Sequence, residues 1–281
     1  MMQFWKMNGA GNDFILIQDM DHRLPDEALP ELARTVCERR LSVGADGMMV
    51  VRPAKAPGAD FKMLFFNADG SAGEMCGNGA RCVCRFGCEN GLAPREAQRV
   101  ETGAGLVTGW YVDGKNWRVR LNDPLDVVLR QVLELKGQSI PCSYAVVGVP
   151  HAVVEQPGLR ELKGAALDAL RETGRALRHH PSFPRGANVN FYELLGQGRV
   201  YIRTFERGVE DFTYACGTGT GAVVLTLALR GLLPDSADAE MRGGLLHVDV
   251  EREGEAIKNL WLTGPTNVAA KGTLTDDRIV L

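Results

Sequence analysis

The sequence lacks the features that mark secreted, membrane-spanning and nucleic-acid-binding proteins. The opening residues "MMQFWKMNGAGNDF" have no basic start followed by an apolar stretch, and no apolar run approaches the ~18 residues that cross a bilayer. The 32 Lys and Arg residues nearly balance the 35 Asp and Glu residues, and no basic block is present. We therefore expect a cytoplasmic protein whose partners include neither membranes nor nucleic acid.

The cysteine count excludes a simple disulfide framework. Seven cysteines are an odd number, and without a secretion signal they are better explained as reduced thiols. The hydrophobic content of 45% and charged content of 24% are typical of a globular protein with a real core. A length of 281 residues fits one large domain or two of roughly 140 residues.

Two similar segments favour the second of these organisations. "GEMCGNGARC" and "TYACGTGTGA" both contain Cys-Gly-x-Gly, and their cysteines, Cys76 and Cys216, are 216 − 76 = 140 residues apart. Each segment follows a Phe and a polar residue, Asn67 or Glu206, at the end of an apolar stretch. This repeat predicts two halves related by duplication, with a pseudo-twofold relation between them.

Alternating apolar and polar residues predict strands, and two stretches with a helical period predict surface helices. The predicted strands are 60–67, 199–206, 245–252 and 259–265. The predicted helices cover 29–40, with Leu29, Leu32, Ala33 and Val36 on its apolar stripe, and 159–180, with Leu162, Ala165, Ala166, Ala169 and Leu170.

The segments after the two Cys-Gly turns differ from these surface helices. "GAVVLTLAL" (221–229) is apolar all round, so the protein must enclose this helix. After the first turn, a helix would place Ala80, Val83, Cys84 and Cys88 on one face, with Arg81 and Arg85 on another. Each half is therefore predicted to consist of strands and one helix that starts at a cysteine and runs inward.

A thiol at a helix N-terminus has a chemical use. The unpaired N–H groups and the dipole of the helix favour the thiolate, and they can also bind a small carboxylate. We expect the N–H groups of Gly77, Asn78, Gly217 and Thr218 to hold such a carboxylate in a cleft between the halves. One sulfur would then remove a proton from the neighbouring carbon while the other delivers a proton to its opposite face, which is racemisation or epimerisation without a cofactor.

At this point the residues resemble a known family, the diaminopimelate epimerases. The matching segments, which run along the whole chain, are "KMNGAGNDF" (6–14), "GADG" (44–47), "FFNADGS" (65–71), "EMCGNGARC" (74–82), "GVPHAVV" (148–154), "GANVNF" (186–191), "ERGVED" (206–211) and "ACGTGTGA" (215–222). These enzymes work without pyridoxal phosphate and interconvert LL- and meso-diaminopimelate on the route to lysine and peptidoglycan.

The resemblance implies an α/β fold of two pseudo-twofold-related domains. Each would be a mostly antiparallel, β-barrel-like sheet wrapped round a central helix. It implies an N-terminal domain of residues 1–122 plus 266–281, a C-terminal domain of residues 123–265, and an active site in the cleft between them. It also implies a small amino acid substrate and neither cofactor nor metal, and it is compatible with a homodimer.

The resemblance also assigns roles to residues. Cys76 and Cys216 would be the two acid/base groups, and His151 would help to deprotonate Cys216 with Glu206. The reacting carboxylate would lie against Gly77, Asn78, Gly217 and Thr218. The distal amino acid end of the substrate would be bound by Asn12, Asn67, Asn188, Glu206 and Arg207.

Some positions depart from the family pattern and leave alternatives open. The departures are Asn8, Gly47, Val149, Phe212 and Tyr214, of which Val149 replaces a frequent amide with an apolar side chain. The alternative they favour is a racemase of another amino acid, such as histidine or proline, in the same superfamily. A more remote alternative is a metal-binding or redox-sensing protein that uses Cys76, Cys82, Cys84 and Cys88, although their spacing fits zinc sites poorly. Outside such a site, we expect Cys37, Cys82, Cys84, Cys88 and Cys142 to act as small hydrophobic residues.

Overall fold

The computed structural model describes residues 2–73, 75–254 and 256–279. The chain forms two compact units, Met1–Val119 with Gly264–Leu281 (unit 1) and Arg120–Thr263 (unit 2). These bounds lie a few residues from the predicted ones, 1–122 plus 266–281 and 123–265. Val280 and Leu281, at the end of the predicted first domain, lie outside the described residues, as does Glu74 of the first cysteine motif.

The helices are few and the strands are many. The α-helices are α1 (Leu29–Cys37), α2 (Gly77–Glu89), α3 (Gly164–Arg178) and α4 (Gly217–Leu229). The first strands are β1 (Met2–Gly9), β2 (Asn12–Gln18), β3 (Gly47–Arg52), β4 (Phe61–Asn67), β5 (Ala72–Gly73), β6 (Gln98–Thr102), β7 (Gly105–Asp113), β8 (Asn116–Arg120) and β9 (Leu125–Leu135). The later strands are β10 (Gln138–Val147), β11 (Val149–Glu155), β12 (Asn188–Gly196), β13 (Arg199–Glu206), β14 (Asp211–Phe212), β15 (Ser236–Met241), β16 (Gly244–Glu253), β17 (Ala256–Pro265) and β18 (Asn267–Leu274). In the part of the chain described, no helix has the length and apolar character needed to span a bilayer.

In unit 1 a mostly antiparallel sheet surrounds α2. β1 pairs with both β2 and β18, β3 pairs with β4, and β6 pairs with β7, all antiparallel. The exceptions are the parallel pairs β2–β3 and β4–β6. α2 packs against β1, β2 and β7, whereas α1 packs on β3 and β4. α2 is therefore the central helix of the unit.

Unit 2 repeats this plan around α4. β9, β10 and β11 form an antiparallel series, β12 pairs antiparallel with β13, and β15, β16 and β17 form a second series. The parallel pairs are β11–β12 and β13–β15. α4 packs against β10, β11, β12 and β16, and α3 packs on β12 and β13. The predicted α/β class, with a mostly antiparallel sheet round a central helix in each half, is confirmed.

α4 is enclosed because its side chains are apolar on every side. All of its residues up to Ala228 are buried except Thr218. Its two buried threonines turn their hydroxyls back onto the helix, Thr220 to the carbonyl of Cys216 (2.8 Å) and Thr226 to that of Ala222 (2.9 Å). These bonds satisfy the hydroxyls without a partner outside the helix.

For the two remaining helices, α1 and α3, the helical period of apolar residues predicts the buried face with different success. On α1 the predicted stripe is buried in full. On α3 the prediction holds only in part, because Leu170 is buried but Ala165, Ala166 and Ala169 are exposed, and the other buried positions are Gly174 and Leu177. The helix begins only at Gly164, and its contact with Phe205 falls at Gly174, where an added Cβ would lie 2.9 Å from the Phe205 Cβ.

α2 differs from its prediction in one respect that matters for the site. The period placed Arg81 and Arg85 on one face, but Arg85 stays partly exposed and binds Glu89, with 2.6 Å between Nε and Oε1, whereas Arg81 is fully buried. The reason is that strands surround the first two turns of the helix, so no face of that part is left for solvent.

The hairpin of β1 and β2 lets α2 approach the sheet. Ala10 and Gly11 form its turn, both with positive φ (53° and 93°), and Gly9 pairs with Asn12 across it. A Cβ at Gly9 would lie 2.8 Å from the carbonyl oxygen of Asn78 in the first turn of α2. Glycine is therefore required at residue 9 by the close approach of two backbones.

Replacement of Gly9 by alanine should lower stability more than the same change on the neighbouring strand. The new methyl group would overlap backbone, so we expect Gly9→Ala to cost about 1–3 kcal/mol in the free energy of unfolding. Gly272→Ala on β18 is the matched control, because its Cβ would meet only the Phe4 ring, at 3.2 Å. Urea unfolding of both variants measures the difference, and equal midpoints would contradict this account of Gly9.

A cluster of charged side chains on β15 and β16 of unit 2 contains His247. His247 on β16 lies 2.7 Å from Asp238 (Nδ1 to Oδ1) and 3.2 Å from Asp249 (Nε2 to Oδ1). Burial lowers the pKa of His247, but the hydrogen bonds and charges of the two aspartates outweigh burial and raise the pKa above its ordinary value. The protonated imidazole is therefore bound more strongly in the folded chain than in the unfolded chain.

The stabilisation from His247 should be complete below its unfolded pKa of about 6.5 and lost as the pH rises through its higher folded value. We expect wild type to exceed His247→Gln in thermal midpoint at pH 5.5 and this difference to shrink by pH 9. His180→Gln is the control, since His180 is hydrogen-bonded to the carbonyl of Glu134 and forms no ion pair with any carboxylate that the structure describes. A difference that is constant across this pH range would show that the charge of His247 does not matter.

Candidate active site

In unit 1 the candidate site is built at the start of α2. Cys76 is the N-cap residue, with extended backbone (φ −135°, ψ 118°), and its carbonyl accepts the first helical hydrogen bond from the Ala80 N–H at 2.7 Å. The Cys76 side chain is half-buried and does not cap the helix. Gly77 and Asn78 form the first turn, where the helix's own carbonyls cannot reach the N–H groups.

Side-chain hydrogen bonds hold this first turn in place. The Asn78 side chain donates from Nδ2 to Oδ1 of Asn12 (2.7 Å), and Asn12 donates to Oδ2 of Asp46 (3.3 Å). Asn78 Oδ1 accepts a hydrogen bond from the guanidinium of Arg81 at 2.9 Å. Asn67, at the end of β4, donates to the hydroxyl of Ser71 at 3.0 Å.

Unit 2 has the same arrangement at the start of α4. Cys216 is again an extended N-cap (φ −119°, ψ 110°), and its carbonyl accepts from the Thr220 N–H at 2.8 Å. Its side chain is 8% exposed. A Cβ at Gly219 would lie 2.3 Å from Oδ1 of Asn190, so glycine lets the helix start lie against β12. Both predicted cysteines therefore occupy the same position on equivalent helices.

A chain of contacts connects His151 to Cys216, and Asn190 determines which nitrogen of His151 carries the proton. Asn190 accepts from the hydroxyl of Thr204 (2.9 Å) and donates from Nδ2 to the carbonyl of Ala152 (3.0 Å), which orients its amide. The same Nδ2 is 3.3 Å from His151 Nδ1, so Nδ1 is the acceptor and the ring proton belongs on Nε2.

The chain of contacts then continues to the sulfur. His151 Nε2 lies 3.1 Å from the hydroxyl of Thr218, so the imidazole donates to Thr218, and this hydroxyl lies 3.6 Å from Sγ of Cys216. Burial and the charge of Arg207 lower the pKa of His151 to about 3. His151 is therefore neutral at physiological pH, and its contact towards Cys216 is made through Thr218.

The remaining predicted residues of unit 2 lie near this chain. Asn188 is the register partner of His151 across the parallel pair β11–β12. Its side-chain oxygen accepts from the Arg207 N–H at 2.8 Å, and the Arg207 guanidinium donates to the carbonyl of Arg185 at 2.9 Å. Glu206, half-buried, ends β13 just before Arg207. The ends of β12 and β13 thus bring Asn188 and Arg207 together in unit 2, while in unit 1 Asn12 begins β2 and Asn67 ends β4.

The positions that depart from the family pattern have different surroundings. A Cβ at Gly47 would lie 2.7 Å from the carbonyl oxygen of Phe66, so only glycine fits there. Phe212 is partly buried and packs edge-on against Phe191 and Phe205 of the unit 2 core. Val149 begins β11 and is half-buried. Tyr214, two residues before Cys216, is 48% exposed.

The other thiols have the character expected of small hydrophobic residues. Burial raises the pKa of Cys37, Cys82 and Cys84 to about 12 and that of Cys142 to about 11, so these four thiols stay protonated. Cys88 is half-buried. The described residues contain no group of three or more His, Cys, Asp or Glu side chains arranged to hold a metal ion.

Sequence reasoning missed several groups that the structure places at the site. Asn190 was present in the motif "GANVNF", where only Asn188 was assigned, and its alternation with Asn188 on β12 was the available signal. Thr218 was predicted to act through its N–H, and its hydroxyl was overlooked. Arg81 was placed only on a helix face shared with Arg85, and its burial was not predicted because that burial depends on strands distant in sequence.

Comparison with known proteins identifies the family. The family model described as diaminopimelate epimerase matches residues 4–125 and 143–268. The diaminopimelate epimerase of Aquifex aeolicus is 36% identical over 286 residues, covering 98% of this chain and 99% of the relative. That of Carboxydothermus hydrogenoformans is 34% identical over 283 residues, covering 96% of this chain and 98% of the relative.

Solved structures share the fold at lower sequence identity. A probable proline racemase from Agrobacterium radiobacter, with bound carbonate, has a TM-score of 0.73 at 22% identity, covering 99% of this chain and 94% of that one. A hydroxyproline epimerase from Agrobacterium vitis has a TM-score of 0.73 at 21% identity, covering 99% of this chain and 93% of that one. These likenesses show the fold. The family match over both units, with relatives that share more than a third of their residues over nearly the full length, shows that this chain belongs to the diaminopimelate epimerase family of isomerases.

Proposed function

We propose that this chain converts LL-2,6-diaminopimelate to meso-diaminopimelate with two thiols and without a cofactor, as a step towards lysine and peptidoglycan precursors. The observation that carries the proposal is that both units place a cysteine at the N-cap of their enclosed helix, Cys76 on α2 and Cys216 on α4. Family membership supports the choice of substrate.

The helix starts supply the electrostatics that this reaction needs. The substrate carboxylate would bind to the N–H groups of Gly77, Asn78, Gly217 and Thr218. Loss of the α-proton moves negative charge onto that carboxylate, and N–H groups already in position stabilise this charge without rearrangement. Because the first residue of each helix is glycine, the carboxylate can approach the backbone closely.

The two sulfurs divide the proton transfer. One cysteine, as the thiolate, takes the α-proton and becomes a thiol, and the other cysteine, as the thiol, gives its proton to the opposite face of the carbon and becomes a thiolate. The carbon is inverted, no electron is gained or lost, and the two sulfurs exchange roles after each turnover. This mechanism requires both N-caps to face one cleft between the domains, which is part of the proposal.

The distal end of the substrate carries an ammonium and a carboxylate of its own. We assign this end to Asn12, Asn67, Asn188, Glu206 and Arg207. Arg207 can bind a carboxylate through two parallel hydrogen bonds, and Glu206 can accept hydrogen bonds from an ammonium group. Since the N–H of Arg207 is held by Asn188, the backbone at this position is already ordered before substrate arrives.

Deuterium exchange tests substrate and mechanism together. Reduced enzyme incubated with LL-diaminopimelate in deuterated water should form meso product with deuterium at one α-carbon, as read by NMR. Because each turnover needs both sulfurs, Cys76→Ala and Cys216→Ala should each reduce product formation by about 100- to 10,000-fold. Cys88→Ala, on the same helix as Cys76, is the control and should retain activity.

Two outcomes would contradict parts of the proposal. Undiminished meso product from either cysteine variant would exclude the two-thiol mechanism. No exchange of diaminopimelate by folded wild-type enzyme would exclude the substrate, and the same experiment with proline and histidine would then test a racemase of another amino acid, which Val149 favours.

We further propose that His151 assists Cys216 as a neutral donor. With its proton on Nε2, the imidazole donates to the Thr218 oxygen, and the Thr218 hydroxyl proton is directed to the Cys216 sulfur. This arrangement stabilises the Cys216 thiolate whenever that cysteine acts as the base. It requires no charged histidine, which agrees with the low pKa of His151.

Removal of the Thr218 hydroxyl should weaken catalysis more than it weakens the fold. A hydrogen bond to a charged sulfur is worth about 1.5–3 kcal/mol, so Thr218→Val should lower kcat/KM by about 10- to 150-fold, and Thr218→Ser should restore most of it. Thr226→Val, an isosteric change further along α4, is the control. Steady-state kinetics and thermal midpoints give the comparison, and a Thr218→Val enzyme with full activity would exclude a role for the hydroxyl.

A further inference from the structure

Arg81 is a buried cation that has no carboxylate partner within the described part of the chain. Its side chain is fully buried in the second turn of α2. It donates to the Asn78 side chain at 2.9 Å and approaches the Gly77 carbonyl at 3.5 Å, and its Nε has no hydrogen-bond partner among the described residues. Arginine stays protonated at physiological pH, and a buried charge normally has a partner of opposite charge.

The charged groups on the surrounding elements are already paired with one another. They are Lys6, Asp13, Arg39 and Asp46 beside β1 and β2, and Arg85 and Glu89 on α2 itself. On β7 the charged residue, Asp113, is exposed at the end of the strand. None of these carboxylates binds Arg81, and the described ionisable groups that interact with its charge are Cys82, Cys76 and Cys84.

Only one of these three thiols is placed to ionise. Cys82 and Cys84 are fully buried, and burial raises the pKa of each to about 12, so both remain neutral. Cys76 is half-buried at the N-terminus of α2, where the helix favours negative charge. The Arg81 guanidinium reaches the two residues that follow Cys76.

We propose that Arg81 is the positioning residue and counter-ion of Cys76, and that Cys76 is the sulfur carried as a thiolate by the resting enzyme. The positive charge of Arg81 favours loss of the Cys76 proton to solvent. The hydrogen bond from Arg81 to Asn78 holds the helix turn that receives the substrate carboxylate. This inference rests on the proposed function, because the Cys76 thiolate has a catalytic role only in the two-thiol mechanism.

The second unit has no such cation at the equivalent position. Five residues after Cys216 is Gly221, where an added Cβ would lie 2.6 Å from the Leu121 side chain and 3.2 Å from that of Leu260, so the surroundings are apolar. Cys216 contacts the neutral Thr218 and His151 chain instead. The described contacts near the two cysteines therefore differ, since a buried charge lies behind the helix turn after Cys76 and the hydroxyl of Thr218 lies beside Cys216.

The pH dependence of cysteine alkylation tests whether Cys76 is the resting thiolate, and the experiment does not require catalytic turnover. Wild-type enzyme without substrate is treated with iodoacetamide between pH 5 and 10, and the modification rate of each cysteine is read by peptide mass spectrometry. The alkylation rate of Cys76 should reach half its maximum at a pH at least about one unit below the ordinary thiol pKa of about 8.5. This midpoint should also lie below the midpoint of the partly exposed Cys88. A Cys76 midpoint at or above that of Cys88 would overturn the proposal.

Variants then assign the effect to Arg81. Arg81→Met should raise the Cys76 midpoint by about one to two pH units, which is about 10- to 100-fold slower alkylation below the midpoint, and Arg81→Lys should recover part of the shift. Arg85→Met, one turn along the same helix, should leave the midpoint unchanged. If Arg81→Met does not fold, Arg81→Lys and the wild-type comparison with Cys88 still decide the outcome.

Failure of this inference is distinguishable from failure of the proposed function. Turnover of diaminopimelate together with an unchanged Cys76 midpoint in folded Arg81→Met would reject the role of Arg81 alone. A low Cys76 midpoint that depends on Arg81, without turnover of diaminopimelate, would support the role of Arg81 and reject the substrate.

Discussion

The start of an enclosed helix is the constraint on which the rest of this structure depends. A helix cannot satisfy the N–H groups of its own first turn, and a helix surrounded by a sheet cannot rely on bulk water to do so. α2 and α4 both begin this way, each with a cysteine at the N-cap and glycine directly after it. The fold thus creates a demand for negative charge at the two places where the thiols lie.

Close packing maintains these two helix starts. Gly9 allows the first turn of α2 to lie against the β1–β2 hairpin, and Gly219 allows the start of α4 to lie against Asn190 on β12. In both cases a methyl group would occupy the space of a neighbouring polar atom. The absence of side chains at these positions is therefore what lets Asn78 reach Asn12 and lets the Asn190 amide reach His151.

The duplicated plan does not produce two equivalent thiols. In unit 1 a buried guanidinium lies behind the first turn, and in unit 2 a neutral imidazole and a hydroxyl lie beside the sulfur. A charge acts over a longer distance than a neutral hydrogen bond, because Coulomb interactions fall off slowly in a medium of low dielectric constant. An enzyme whose cysteines exchange roles at each turnover can use such a difference to begin every cycle from one defined protonation state.

The sequence alone determined the outline of this protein. The repeated Cys-Gly-x-Gly turns, the apolar segment 221–229 and the strand patterns are local, and they were sufficient to predict two halves of strands, each built round a central helix. The family was predicted from the resemblance of ordered motifs along the whole chain. The tertiary structure alone decided the burial of Arg81, the exposed face of α3, the packing of Phe212 against the unit 2 core and the protonated nitrogen of His151. Each of these depends on residues far apart in the chain, such as Asn190 beside His151 and the strands around α2, and hydrophobic periodicity carries no information about which distant side chain will fill the space beside a residue.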